Sequence, residues 1–243
     1  MNSEPLVVTQ SMSGQITVRI RENILSGTYP PGSQLLQDVI AAEFGVSKIP
    51  VREALVQLRA EGLVEVFANR GFQVRPLSTV EVDEVLRLRL LIEPQAAAAG
   101  AAAAQAEDQD AARCALMNLN AALDAGELDG SSALNHAFHL ALVVPRLQPV
   151  TAEVLNRLHT LAQRYIRMHL QPQGRVTRAK AEHAALYEAW AAGKTQEVSR
   201  LTAAHIERTH VDLGQALQHA LPPCSSHPQS SDPAKPGPAE PGQ

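Results

Sequence analysis

The 243-residue chain carries 21 Lys and Arg against 25 Asp and Glu, a formal net charge of −4, and only 3% of its residues are aromatic. This length suits two domains, and the two cysteines, Cys114 and Cys224, lack the paired spacing of a disulfide framework or a cysteine zinc site. The apolar run 96–104 is too short to span a bilayer, and no signal-peptide pattern precedes it. We therefore expect a cytoplasmic protein without a membrane partner.

The first predicted elements are three helices. An amphipathic pattern predicts a helix over 15–25, and a shorter helix over 37–44 ends at Gly45, where a left-handed residue is favoured. A third helix begins after Ser47, whose hydroxyl is suited to accept a first-turn backbone N–H, and Pro50 lies early enough to be tolerated. The pattern predicts a helix, a turn and a second helix.

The third helix separates an apolar stripe from a charged face. The stripe, spaced i, i+3, i+4 and i+7, consists of Val51, Ala54, Leu55 and Leu58. Lys48 and Arg52 lie one turn apart on another face. A capped helix with two exposed cations is usually only a solvated helix, so the surrounding elements decide whether it is a DNA-reading helix.

Two short β-prone runs follow, at 63–67 and 71–75, joined by a turn with Gly71 where positive φ is easiest. A helix-turn-helix followed by a hairpin predicts a winged helix-turn-helix domain over 14–77. This domain holds seven Lys or Arg against six Asp or Glu, so it is not broadly basic. Tight DNA binding would then depend on a few placed cations, doubled by dimerisation.

From residue 78 onward the pattern changes to long Ala- and Leu-rich helices. The predicted helices cover 79–105, 109–125, 130–143, 147–170, 176–192 and 195–217. Six such helices suit an antiparallel bundle over 78–221. Residues 222–243 have almost no apolar side chains and predict a disordered tail, and residues 1–13 a flexible N-terminus. The predicted fold is thus mostly α.

Three segments resemble the N-terminal domain of GntR-family transcriptional regulators: 24–32 (ILSGTYPPG), 46–55 (VSKIPVREAL) and 61–64 (EGLV). The resemblance covers about sixty residues. It implies a double-stranded DNA operator, with major-groove contacts from Ser47, Lys48, Pro50 and Arg52, and with Arg70 and Gly71 of the wing tip at the minor groove or its phosphates.

Two positions depart from that family's pattern. Lys48 stands where the family usually has Arg, so a mobile point charge replaces a bidentate fork. Asp38 stands where some members have an Arg, so one DNA contact of those relatives is expected to be missing. As plain alternatives, Lys48 and Arg70 are solvated charges and Arg52 pairs with Glu22 or a neighbour of Glu53.

The second predicted domain contains a candidate metal site. Asn135 and His139 lie at i, i+4 on one predicted helix, and His183 and His205 fall on two others. Three imidazoles with one oxygen ligand suit a divalent ion such as zinc, nickel or manganese. The chain has nine histidines, so spacing alone also allows purely structural histidines.

The segments around these residues resemble the ligand signatures of the all-helical FCD effector domain in the FadR branch of the GntR family, in a short, VanR-like version. The resemblance implies a metal inside the bundle, open to a small carboxylate effector. With Asn135 in place of the Asp that many relatives have, the oxygen ligand is neutral, so weaker metal affinity is expected.

Residues 87–94 resemble the first helix of the same effector domain, and its inward-facing Arg falls on Arg89. An Arg fork beside an open metal site would bind an organic acid. The alternative is a surface ion pair between Arg89 and Glu93, four residues apart. Arg164 and Arg167, on a facing helix, are further candidates for effector binding.

The sequence thus predicts a homodimeric, effector-responsive transcription factor, and the resemblance implies that it is a repressor. Two alternatives remain open. A metal-dependent enzyme acting on a carboxylate is opposed by the lack of a placed general base, since Glu182 is turned about 100° from His183 around its helix. A metal-free regulator would use the histidines structurally.

Overall fold

The computed structural model describes residues 11–67, 70–146, 149–170 and 174–220. The predicted fold class is confirmed: a winged helix-turn-helix precedes a bundle of six helices. The predicted tail, 222–243, and most of the predicted flexible N-terminus lie outside the described residues. No helix in the described ranges is long and apolar enough to cross a membrane.

The N-terminal elements follow the predicted order with one addition. They are α1 (Met12–Leu25), β1 (Gln34–Leu35), α2 (Gln37–Phe44), α3 (Lys48–Ala60), β2 (Val64–Phe67) and β3 (Gly71–Val74). The strands form an antiparallel sheet in the order β1-β3-β2, with Gln34 opposite Gln73 and Val64 opposite Val74. The strand β1 was not predicted, because two residues are too few to show an alternating pattern.

The predicted apolar stripe of α3 forms the centre of the small domain. Val51, Ala54, Leu55 and Leu58 are all fully buried, and they pack with Ile20 of α1 in one cluster. Gly45 ends α2 with a φ of 65°, as predicted. This packing leaves the opposite face of α3, with Lys48 and Arg52, exposed.

The predicted side-chain cap of α3 is wrong. Ser47 has the extended backbone of an N-cap residue, but its hydroxyl makes no cap hydrogen bond. A serine cap bonds to the N–H of the second or third helical residue, and here the third is Pro50, which has none. The Ser47 hydroxyl is therefore exposed at the start of the helix instead of being used within it.

Six helices form the second domain. They are α4 (Thr79–Ala103), α5 (Ala106–Asp124), α6 (Leu128–Val143), α7 (Pro149–Leu170), α8 (Arg175–Ala191) and α9 (Thr195–Ala220). A single 3₁₀ turn, Val144–Arg146, follows α6 at the predicted break. The helix α4 contacts α6, α7, α8 and α9, so its inward residues reach the middle of the bundle.

A close crossing of α4 and α6 depends on Gly100. The Trp190 indole of α8 donates a hydrogen bond of 2.8 Å to the Leu142 carbonyl, and a Cβ at Gly100 would overlap that same oxygen. We expect Gly100→Ala to lower the free energy of unfolding by about 1–3 kcal/mol, because overpacking forces the helices apart. Urea denaturation measures this change.

The matched control is Gly214→Ala, also inside a helix, where an added Cβ meets nothing within 4 Å. That substitution should be neutral or slightly stabilising, since alanine loses less backbone entropy on folding. Equal destabilisation by both variants would show that a Cβ at Gly100 does not overlap the Leu142 carbonyl.

The helix α7 joins the two domains. Arg157 donates 2.9 Å to the Ala60 carbonyl at the end of α3, and the buried Arg164 donates 2.5 Å and 2.6 Å to the carbonyls of Arg75 and Pro76. The Arg164 guanidinium also pairs with Glu81 at 2.7 Å. These contacts of α7 hold the N-terminal domain against the helical bundle.

Candidate functional site

Three helices bring the predicted histidines together in the bundle. His139 on α6, His183 on α8 and His205 on α9 are all buried, and one ligand nitrogen from each lies within 4.8 Å of the others. Asn135, one turn before His139, lines a cavity that His183 and His205 also line. The structure therefore brings all four predicted ligands to one place.

Two carboxylates orient two of these imidazoles. Nδ1 of His139 lies 2.9 Å from Oε1 of Glu93, and Nδ1 of His205 lies 2.7 Å from Oε2 of Glu182. Each ring thus keeps Nε2 for another partner. Among the described residues, Nε2 of His139 is buried and has no hydrogen-bond partner. Carboxylate–histidine pairs of this kind orient metal ligands.

The donor set fits a divalent metal. Burial lowers the pKa of His139 to about 3, although Glu93 opposes this, so the ring is neutral at physiological pH. Neutral imidazole is the form that binds metal, and imidazoles with an amide oxygen suit zinc, nickel or manganese. Asn135, His139, His183 and His205 would hold the ion, which when bound supplies positive charge for an anionic ligand.

Arg89 and Glu93 form an ion pair, but it lies in the core and not at the surface. The Nε and Nη2 atoms of Arg89 lie 2.8 Å and 3.2 Å from the carboxylate, and both side chains are at most 3% exposed. The surface location assumed in that alternative is wrong, because this face of α4 points into the bundle. Glu93 also contacts Nε2 of His159 at 3.1 Å.

Glu93 is charged at the centre of this network. Burial alone would raise the pKa of Glu93, but Arg89, His159 and His139 together hold it well below its usual value. Arg89 lines the cavity while two of its nitrogens bind Glu93. Sequence patterns missed this role of Glu93, and they also missed Glu182, which reaches His205 on the next helix and not its own neighbour His183.

The other predicted effector residues are not brought to the cavity by the described structure. Arg164 faces the domain junction, where it binds Glu81 and two carbonyls. Ile166, two residues further on, lines the cavity, because two residues correspond to about 200° around a helix. The side chain of Arg167 lies outside the described part of the chain.

Two further histidines make stability depend on pH. His136 and His159 stack with ring centroids 5.0 Å apart, and burial lowers the pKa of each to about 4. Between pH 6.5 and 4 the unfolded chain binds protons at these sites and the folded protein does not. We therefore expect the free energy of unfolding of metal-free protein to fall as pH drops through this range.

Thermal or urea unfolding at a series of pH values measures this fall. In His159→Gln the fall should be shallower, since one proton-binding group has been removed. A wild-type stability that stays constant from pH 6.5 to 4 would contradict the neutral state of these rings.

The predicted DNA-reading residues lie at the surface of the small domain. Ser47, Lys48 and Arg52 are exposed, Pro50 is half-buried, and Arg70 and Gly71 are exposed beside the wing tip. Arg52 has no ion pair within the described ranges, so the proposed pairing with Glu22 does not form; Glu22 pairs with Arg19. Lys48, by contrast, forms an ion pair with Asp38 of α2, a contact that sequence patterns missed.

Comparison with known proteins agrees with this architecture. Residues 12–74 match the model of the bacterial regulatory proteins of the gntR family, and residues 84–208 match the FCD domain. An uncharacterised HTH-type regulator of Agrobacterium vitis is 33% identical over 127 residues, covering 51% of this chain and 74% of its own. The HTH-type transcriptional repressor GlaR of Escherichia coli is 29% identical over 150 residues, covering 60% and 68%.

A solved structure shows the same fold. Escherichia coli McbR/YncC superposes with a TM-score of 0.74 at 21% identity, covering 85% of this chain and 99% of its own. The matched domains account for both the winged helix-turn-helix and the helical bundle described above. The chain therefore belongs to the GntR family of bacterial regulatory proteins with an FCD domain, and it is a DNA-binding transcriptional regulator rather than an enzyme.

Proposed function

We propose that the protein is a homodimeric repressor whose binding to a palindromic operator is modulated by a small organic acid. Residues 14–77 read DNA, and residues 78–221 bind the effector and dimerise. The DNA contacts are Ser47, Lys48, Pro50, Arg52, Arg70 and Gly71, and the metal ligands are Asn135, His139, His183 and His205. The repressor role is supported by the name of the relative GlaR.

The observation that carries this proposal is the unpartnered Nε2 of His139, buried close to the imidazoles of His183 and His205. A buried imidazole nitrogen without a partner costs free energy, and a metal ion removes that cost. Arg89, which is paired with Glu93, lines the same cavity as His183 and His205 and places a guanidinium there. Together they suit an anionic ligand such as a carboxylate.

The cavity is nearly closed. Its volume is about 20 Å³, which holds little more than one water molecule. An organic acid therefore enters only when a wall moves. Ile166 of α7 forms part of that wall, and His159 of the same helix contacts Glu93.

Movement of α7 would reach the DNA-reading domain directly. The same helix holds the end of α3 through Arg157 and the linker after β3 through Arg164. Effector binding then shifts the spacing of the two DNA-reading domains in a dimer. Such coupling is reciprocal, so operator and effector change each other's affinity by the same factor.

Dimerisation is supported by the exposed apolar residues of α4. Val80 and Leu91 are 75% and 74% exposed, and they lie eleven residues apart, which places them about 20° apart on one face. A second copy would cover this face. Two copies also double the few cations of a domain that carries little net positive charge.

A thermal-shift screen tests the effector site. Purified protein is heated with sugar acids, hydroxy acids and dicarboxylates, with and without prior chelation, since a bound ligand raises stability by mass action. A shift that disappears on chelation supports the metal-dependent site. A shift that survives chelation supports a metal-free regulator, and no shift from any acid in Zn²⁺-loaded protein contradicts the effector class.

A further inference from the structure

An ion pair occupies the surface that would face the DNA groove. Asp38 is the second residue of α2 and Lys48 the first residue of α3, and the Lys48 ammonium contacts the Asp38 carboxylate. Both side chains remain exposed, at 70% and 67%. Such an exposed pair adds little to the stability of the fold. Its effect is instead on the charges and hydrogen-bonding groups that this surface offers to a binding partner.

We propose that Asp38 determines base specificity, with its carboxylate accepting a hydrogen bond from the N4 amino group of a cytosine in the major groove. The proposal rests on the proposed DNA-reading role of α3. A carboxylate in the major groove is repelled by the DNA phosphates unless it accepts a hydrogen bond from a base. In the major groove only cytosine and adenine offer an amino donor, and adenine places the N7 acceptor beside it, which repels a carboxylate.

Lys48 completes the reading unit. Its ammonium can donate to O6 or N7 of a guanine while it remains beside Asp38, so the pair selects cytosine and guanine at neighbouring positions. The carboxylate also holds Lys48 away from phosphates. A phosphate contact steepens the salt dependence of binding, so we expect the paired Lys48 to contribute less non-specific affinity than an unpaired lysine.

The test is selection of binding sites from random double-stranded DNA by the full chain. Wild-type protein should select a site with a cytosine that it discriminates by about 5- to 150-fold at one position. Asp38→Asn should move that preference to adenine, because an amide both donates to N7 and accepts from N6. The slope of log affinity against log salt should steepen by about 0.9 as Lys48 reaches a phosphate.

The control is Glu43→Gln, the same loss of charge on the same helix. Glu43 lies five residues from Asp38, about 140° around α2, where its carboxylate accepts a hydrogen bond of 2.8 Å from the Tyr29 hydroxyl. This variant should keep the wild-type site and salt slope. Thermal unfolding of both variants confirms that each is folded.

The outcomes separate the two proposals. If wild-type protein selects a site and Asp38→Asn selects the same bases with the same discrimination, Asp38 does not read sequence, although the regulator still binds DNA. If Glu43→Gln changes preference as Asp38→Asn does, the effect is one of net charge and the specific role is wrong. If wild-type protein selects no sequence at all, the DNA-reading assignment of α3 fails, and the role of Asp38 fails with it.

Discussion

Replacing His183 with Ala is expected to lower the affinity for Zn²⁺ by more than about 100-fold, because the site loses one of its three imidazole ligands. Even the groups that only orient ligands change metal affinity by about 10- to 100-fold when they are removed. Competition with a chromophoric chelator measures the affinity, and the visible absorption of bound Co²⁺ reports the ligand geometry.

Glu182→Gln is a milder change at the same site, because it alters a group that orients a ligand and not a ligand itself. An amide holds the Nδ1 hydrogen of His205 less strongly than a carboxylate, so the Zn²⁺ affinity should fall by about 10- to 100-fold and the Co²⁺ spectrum should shift. His210→Ala serves as the control. His210 lies on α9, as His205 does, but it contacts Asp83, away from the cluster. Unchanged Zn²⁺ affinity in His183→Ala would contradict the metal site.

Replacing Arg89 with Ala is expected to lower the free energy of unfolding by about 3–5 kcal/mol, because it leaves the Glu93 carboxylate buried without its main counter-charge. Burial of Glu93 is nearly complete, so water cannot easily take the place of the guanidinium. Urea denaturation of metal-free protein at pH 7 gives the value. Arg113→Ala, which breaks an exposed ion pair with Asp110, should change stability little.

A double variant separates stability from metal binding. Arg89→Leu combined with Glu93→Leu removes both charges and should recover much of the lost stability, since buried ion pairs are often replaced by apolar residues without cost. His139 then lacks its orienting carboxylate, so the Zn²⁺ affinity should still be reduced. A stable double variant with wild-type affinity would show that Glu93 does not orient the ligand.

Sequence patterns predicted those elements well whose ends are set by nearby residues. The bounds of α2 agree with the prediction because Gly45 adopts the left-handed conformation that ends a helix. The convergence of His139, His183 and His205 also agrees, because residues at fixed positions of neighbouring amphipathic helices face the same core.

The differences arise where contacts between distant segments decide the outcome. Ser47 makes no cap hydrogen bond, and Pro50 removes one of the two N–H groups that could donate it, a conflict between two residues that each suit a helix start. Glu93 and Glu182 bind histidines on other helices, and helical periodicity alone cannot predict such partners. Arg164 binds at the domain junction and not at the cavity. The sequence did not predict this, because a helical pattern does not say which neighbour each face of α7 meets.

The central claim is that the metal site in the bundle controls DNA binding. Its most direct test is the operator affinity of the full chain, measured by fluorescence anisotropy on a DNA site selected by the wild-type protein. Zn²⁺-loaded and chelated protein are compared, each with and without an acid found by thermal shift, in wild type and in His183→Ala. We expect Zn²⁺ and acid together to change the wild-type operator affinity at least fivefold, as in ordinary allosteric coupling, and to leave His183→Ala unchanged. An operator affinity that is identical in all wild-type conditions would contradict the coupling, and so would an equal response in His183→Ala.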